Sequence, residues 1–192
     1  MNKIWRVAVM MAAALALLLG FGAQSVRAEE IRCVGTLGAI TVDNVLVPEG
    51  RTCTLNKTRV QGTVQVAGNA TLYAKTARIN GNVQAENAKL VSVTANTTVG
   101  GSIQVKQGGA ATINRVTVEG DIQFDDNAKR VQALNNTVGG SIQVFENTGG
   151  AVIKGNRVDG NLQCKSNTPA PTGGGNVVQG NKEDQCLSLI HI

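Results

Sequence analysis

Glu119 and Asp121 flank Gly120 and form the best acid–base pair in the chain. Glycoside hydrolysis needs two carboxyls about 5 to 9.5 Å apart. Residues i and i+2 on an extended segment share a face about 7 Å apart, so the spacing is suitable. Asp121 and Asp125 also share a face, but four residues of strand separate them by ~13 Å. Asp125 and Asp126 are adjacent and point to opposite faces. One reading is therefore a carbohydrate-active β-helix enzyme, a polysaccharide lyase or hydrolase working through Glu119 and Asp121. The stronger reading is a pair of solvated carboxylates. The repeats described below leave no room for the long loops that would build a cleft, and no Ser-His or Cys-His pair is present. No Gly-rich loop opens a helix, and no calcium-binding nonapeptide occurs. The expectation is a non-enzymatic chain with no catalytic residues and no cofactor.

The other reactive side chains are Cys33, Cys53, Cys164 and Cys186. An even number of cysteines in an exported chain reads as disulfides, and four allow three connectivities. Cys33 and Cys53 are separated by close to one repeat, and so are Cys164 and Cys186. Each pair is therefore expected on neighbouring coils at one end of the molecule. Each bridge would close a loop of about 20 residues and contribute roughly 3 kcal/mol through loop-closure entropy. A metal site is the rival reading. It lacks a Cys-x-x-Cys, and the only histidine is His191, so no metal is expected.

These residues are positioned by a repeat. Val60-Gln61-Gly62-Thr63-Val64-Gln65-Val66 returns at Ile79 to Ala85, Val99 to Val105, Val118 to Phe124, Val138 to Val144 and Val158 to Cys164. A degenerate copy begins at Val178. The glycines Gly62, Gly81, Gly101, Gly120, Gly140, Gly160 and Gly180 advance in steps of 19 or 20 along the numbering. So regular a period indicates a stacked repeat architecture. Within a repeat, Ile103 and Val105 alternate with Gln104 as on a strand, Ala111 to Ile113 is a second short strand, and Val116 to Val118 is a third. The predicted fold is all-β, a single-stranded parallel β-helix of about seven coils. A right-handed coil is expected, because left-handed solenoids run on a six-residue period and 19 and 20 are not multiples of six. Apolar columns two before, two after and four after the glycine form the core, each covered only by the next coil. Asn69, Asn127, Asn147 and Asn167 recur seven residues after the glycine and are expected at corners in the left-handed conformation. Pro169, Pro171 and Gly173-Gly174-Gly175 predict that Ser166 to Asn176 is a loop in place of the last second strand.

Three residues after the glycine comes Gln65, Gln84, Gln104, Gln123, Gln143 and Gln163. Alternation with inward residues points this column outward. It reads as an amide ladder that stabilises the stack. Alternatively it is a flat polar face for an extracellular polysaccharide, a cell-surface component or ice, although the sequence shows no threonine ladder of the ice-binding kind. As a ladder, the central Gln104 should contribute more than Gln163 near the capped end.

The ends differ from the repeats. Asn2, Lys3 and Arg6 precede an apolar stretch from Val7 to Phe21, and Val26-Arg27-Ala28 supplies a small-residue cleavage pattern. Residues 1–28 read as a secretory signal. The apolar run of 15 residues falls short of the ~20 needed to span a membrane. Residues 29–59 read as an N-terminal cap and first coil, 60–165 as the repeats, and 166–186 as the C-terminal cap coil. Residues 187–192 resemble a translated sequencing adapter, the alternative being an apolar tail packed on the last coil. Without the leader, 18 − 3 = 15 basic residues face 13 acids, a balance of +2. Nucleic acid is therefore not an expected partner, and Tyr73, Phe124 and Phe145 are too few for base stacking. Four sequons, at Asn56, Asn69, Asn96 and Asn135, arise from Asn/Thr-rich composition.

From Ile40 to Cys186 the repeats resemble those of secreted bacterial β-helix proteins. More distantly they are similar to bactofilins, other polymer-forming β-helices and β-helical adhesin passengers. The resemblance implies an extracellular or periplasmic structural or interaction module. Bactofilins lack signals and disulfides, so a filament role transfers poorly.

Overall fold

A computed structural model describes residues 29–190. The leader read over 1–28 and His191 lie outside the described residues. The chain winds into a parallel β-helix whose coils each give one strand to three parallel sheets of nine, eight and eight strands. In one coil these are Ile103–Lys106, Ala110–Asn114 and Thr117–Val118. There are about eight turns. Two full coils precede Gly62, one from Glu30–Arg32, Gly35–Leu37 and Thr41–Val42 and one from Asn44–Val47, Thr52–Asn56 and Arg59–Val60, whereas Gly180 opens only the single strand Lys182–Asp184. The only helical element among the described residues is a short 3-10 turn, Gln185–Ile190.

The period sets the register. Val83, Ile103, Ile122, Ile142 and Leu162 are successive partners on the first sheet, as are Val99, Val118, Val138 and Val158 on the third. With Val91, Ala111, Val131 and Ala151 from the second sheet they fill the interior, and nearly all are inaccessible to solvent. Each column is apolar because the interior of a coil meets only other coils. The glycine column has a different cause. From Gly81 onward each glycine N–H donates to the glycine carbonyl one coil back, as in Gly81 to Gly62 at 2.9 Å and Gly160 to Gly140 at 2.9 Å, while Gly62 donates to Asp43 O. A Cβ on Gly81 would come within 2.6 Å of the Gly62 carbonyl oxygen, so a side chain would force the coils apart.

The corner asparagines depart from expectation. Asn69 does take a positive φ of 55°. At the next positions in that corner the left-handed residues are Asn87, Gln107, Asp126, Glu146 and Ser166, one residue ahead of the inward side chain. Asn127, Asn147 and Asn167 instead point inward and are buried. Their side chains form a chain of hydrogen bonds: Nδ2 of Asn127 donates to Oδ1 of Asn147 at 2.8 Å, and Nδ2 of Asn147 to Oδ1 of Asn167 at 2.9 Å. Each Oδ1 also accepts the backbone N–H one coil back, and each Nδ2 donates to a carbonyl, Phe124 O in the case of Asn147. A second ladder, absent from the sequence reading, runs through Asn136, Asn156 and Asn176 at the next corner. Left-handed residues such as Arg115 and Asn135 again stand one position ahead. An L-residue in that region costs roughly 1–2 kcal/mol, and the buried amide networks offset it. Among the described residues only Asn114 Oδ1 is a buried side-chain polar atom without a partner.

The ends are closed by Cys33–Cys53 and Cys164–Cys186, with Cα–Cα distances of 5.5 and 5.0 Å. All four cysteines are buried. The expected loop at Ser166 to Asn176 is only partly a loop. Thr172–Gly174 pairs in parallel with Val152 to Lys154 and completes the second sheet, since stacking on the preceding coil satisfies its backbone despite the neighbouring prolines. Leu189, within the stretch read as extraneous, is buried at the C-terminal end.

Candidate functional site

The outer face of the first sheet carries the glutamine column. Its register runs from Leu46 through Gln65, Gln84, Gln104, Gln123, Gln143 and Gln163 to Glu183. Neighbours are one inter-strand spacing apart, about 4.8 Å. Only part of the column is zipped. Gln104 Nε2 donates to Gln123 Oε1 at 3.0 Å, Gln143 Nε2 to Gln163 Oε1 at 3.2 Å, and Gln163 Nε2 to the Glu183 carboxylate at 2.7 Å. Gln65 and Gln84 are exposed and make no side-chain hydrogen bond among the described residues. They line an open groove of about 740 Å³ with Leu46, Gln104, Glu86 and Lys106. The next column outward alternates in charge through Glu86, Lys106 and Asp125. Lys106 and Asp125 approach to 3.9 Å, but both are well exposed and such a pair contributes little.

This pattern reverses the expected ranking of the glutamines. Gln163 has two partners, one charged, and Gln104 has one. Gln163→Ala should therefore lower stability by about 1–2 kcal/mol, Gln104→Ala by about 1 kcal/mol, and Gln84→Ala by almost nothing, by the usual net value of a side-chain hydrogen bond. Urea unfolding of the three variants checks the order; equal effects would mean that the amides do not act as a ladder.

The carboxylate pair does not share a cleft wall. Glu119 is exposed and lines a groove of about 300 Å³ on the third sheet with Arg78, Asn80, Thr98, Gly100 and Thr117. Asp121 lies around the corner, half-buried, in a column that sequence reading saw only as flanking the glutamines. There each side-chain oxygen accepts the backbone N–H of the equivalent residue on the next coil. The series runs from Asn44 through Thr63, Asn82, Ser102, Asp121, Ser141 and Asn161 to Asn181. Asp121 Oδ1 accepts from Ser141 N at 2.7 Å. This column holds the glycine corner together, so Asp121 has a structural role independent of any chemistry.

Two arrangements became visible only in three dimensions. Thr98, Thr117 and Thr137 stack in register on the outer face of the third sheet, between Arg78 and Arg157. The sequence reading found no threonine ladder, because these residues sit in the third strand of the coil, away from the glutamine motif. The second arrangement is a segregation of charge, with basic residues gathered along the edge between the second and third sheets. Among the described residues no cluster of His, Cys, Asp and Glu could hold a metal ion. Comparison with protein-family models, curated proteins and solved structures finds no match to this chain.

Proposed function

We propose that the chain is an exported, non-enzymatic β-helix that acts as an extracellular or cell-surface structural and interaction module, holding a polysaccharide or other surface component on a flat outer face. The observation that carries this reading is the use of the polar side chains. Those nearest the carboxylate pair stack coil on coil and brace the rod, and the coils are too short to raise loops around a substrate. Two buried disulfides fit an oxidising compartment. No helix among the described residues is long and apolar enough to cross a membrane. The likeness to secreted bacterial β-helix proteins belongs to the same reading.

The second reading, a carbohydrate-active enzyme, rests on the groove at Glu119. A panel of neutral and charged polysaccharides, assayed for both retention and turnover, separates the two. Retention without turnover is expected. Turnover that disappears in a folded Asp121→Asn variant would establish the enzyme instead.

A further inference from the structure

The edge where the second sheet turns into the third is basic and free of acid. Lys57, Arg59, Lys75, Arg78, Arg115, Lys154 and Arg157 lie along it, and all seven are exposed. No Asp or Glu occurs from 35 to 42, 52 to 60, 71 to 79, 90 to 99, 110 to 118, 131 to 138, 151 to 158 or 172 to 178, the segments that build this edge in successive coils. Without the leader the chain has 15 basic and 13 acidic residues. The edge holds 7 and 0 of them, leaving 8 basic and 13 acidic elsewhere, so +7 on one edge stands against −5 on the rest. The net charge of +2 conceals this separation. The only ion pair among the described residues is Lys106–Asp125 on another face, so none of the seven is paired within the described molecule.

The adjoining surface has the form of a track. Arg59, Arg78, Thr98, Thr117, Thr137 and Arg157 are one column in register, spanning five inter-strand steps or roughly 24 Å. Beside it, the next column runs through Asn80, Gly100, Glu119, Gly139 and Asp159. Notches at the two glycines, about 10 Å apart, alternate with two exposed carboxylates that lie outside the acid-free segments and oppose only part of the +7. Neither position admits a side chain: a Cβ on Gly139 would lie 2.6 Å from the Glu119 carbonyl oxygen. Arg78, Thr98, Thr117 and the carboxylate Glu119 line the groove at the first notch. Guanidinium groups that bind carboxylate or sulfate in a bidentate manner, hydroxyls between them, and a repeat along one axis suit an extended polymer carrying both anionic groups and hydroxyls. Base stacking would require aromatic platforms, and Tyr73, half-buried, is the only aromatic residue on this side.

We infer that the edge from Arg59 to Arg157, with its threonine column, is the docking track for a linear polyanionic glycan, carboxylated or sulfated. This rests on the reading of the rod as a polymer-binding module and names its ligand class. Four probes are used with the protein: polygalacturonate, heparin, neutral dextran and single-stranded DNA. The variants are Arg59→Gln with Arg78→Gln, Arg78→Gln with Arg157→Gln, and, as an equal charge change on another face, Lys89→Gln with Lys129→Gln, both exposed. The two anionic glycans should bind and dextran should not. Each track variant should bind roughly tenfold more weakly at low salt, with a log–log salt slope smaller by about one to two, while the control pair matches the parent. Equal weakening by the control pair would overturn the track, since net charge alone would then explain binding. Tighter binding of DNA than of either glycan would also overturn it. Retention of dextran but not of the polyanions would overturn the track and leave the polymer-binding module standing. Retention of none of the four would count against both.

Discussion

Ile103→Asp is expected to yield no folded protein. Ile103 is fully inaccessible, and its partners in the stack are Val83 on one side and Ile122 on the other. A carboxylate there would face apolar side chains in every direction with no donor in reach, and burying an unpaired charge costs far more than a domain's net stability. The position is also central. In a solenoid each coil is stabilised by its neighbours, so a break in the middle separates the stack into two short pieces that each expose an apolar face. Far-ultraviolet circular dichroism and the soluble fraction on expression give the readout. Ile103→Val is the partner experiment and should cost about 0.5–1.5 kcal/mol, the usual loss for one buried methyl group. A soluble Ile103→Asp variant with the parent spectrum would mean that this column does not face the interior.

The second large effect is expected at Asn147. Its side chain accepts from both nitrogens of Asn127 and donates to Asn167 Oδ1, Phe124 O and Phe145 O, at 2.8 to 3.0 Å. Asn147→Leu removes all of these and leaves the Asn127 backbone N–H and one of the two Nδ2 hydrogens of Asn127 buried without an acceptor, the other still donating to Val105 O. At about 1–3 kcal/mol for each unsatisfied group, a loss of roughly 3–5 kcal/mol is expected. Asn135→Ala provides the contrast. Asn135 is an exposed, left-handed corner residue at φ 53°, so only about 1 kcal/mol should be lost there, from backbone preference. Urea unfolding distinguishes them; similar losses would contradict the assignment of the inward ladder to Asn147. Asn147→Asp adds a pH dependence. Its buried carboxyl would face the acceptors Phe124 O, Phe145 O and Asn167 Oδ1, which favours the protonated form and raises the folded-state value above the ordinary ~3.9. The folded state then holds the proton more tightly than the unfolded one. The variant should be most stable below about pH 4 and lose stability as the pH rises from there.

Much of the coil is legible in the sequence for a simple physical reason. A period of about 20 residues places Val83, Ile103 and Ile122 at one angular position around the axis, each on the next coil, and alternation decides that they face in and that Gln84, Gln104 and Gln123 face out. Neither inference requires the path between strands. The cysteine pairs follow from the same period, because their separations of 20 and 22 each amount to about one turn. What the sequence leaves open is the phase at the corners. A shift of one residue exchanges the left-handed position for the inward one, and both accept asparagine, so Asn127 and Asn135 look alike although one is buried in a ladder and the other is exposed. Only the packed coils decide between them, by offering Asn127 an amide and a carbonyl to bond. The basic edge is hidden for a related reason. Its residues, Lys57 to Arg157, are dispersed along most of the chain among acids that cancel them in any count. They become one surface only when the third strand of each coil stacks on the last, which is a property of the register between coils and not of any stretch of chain.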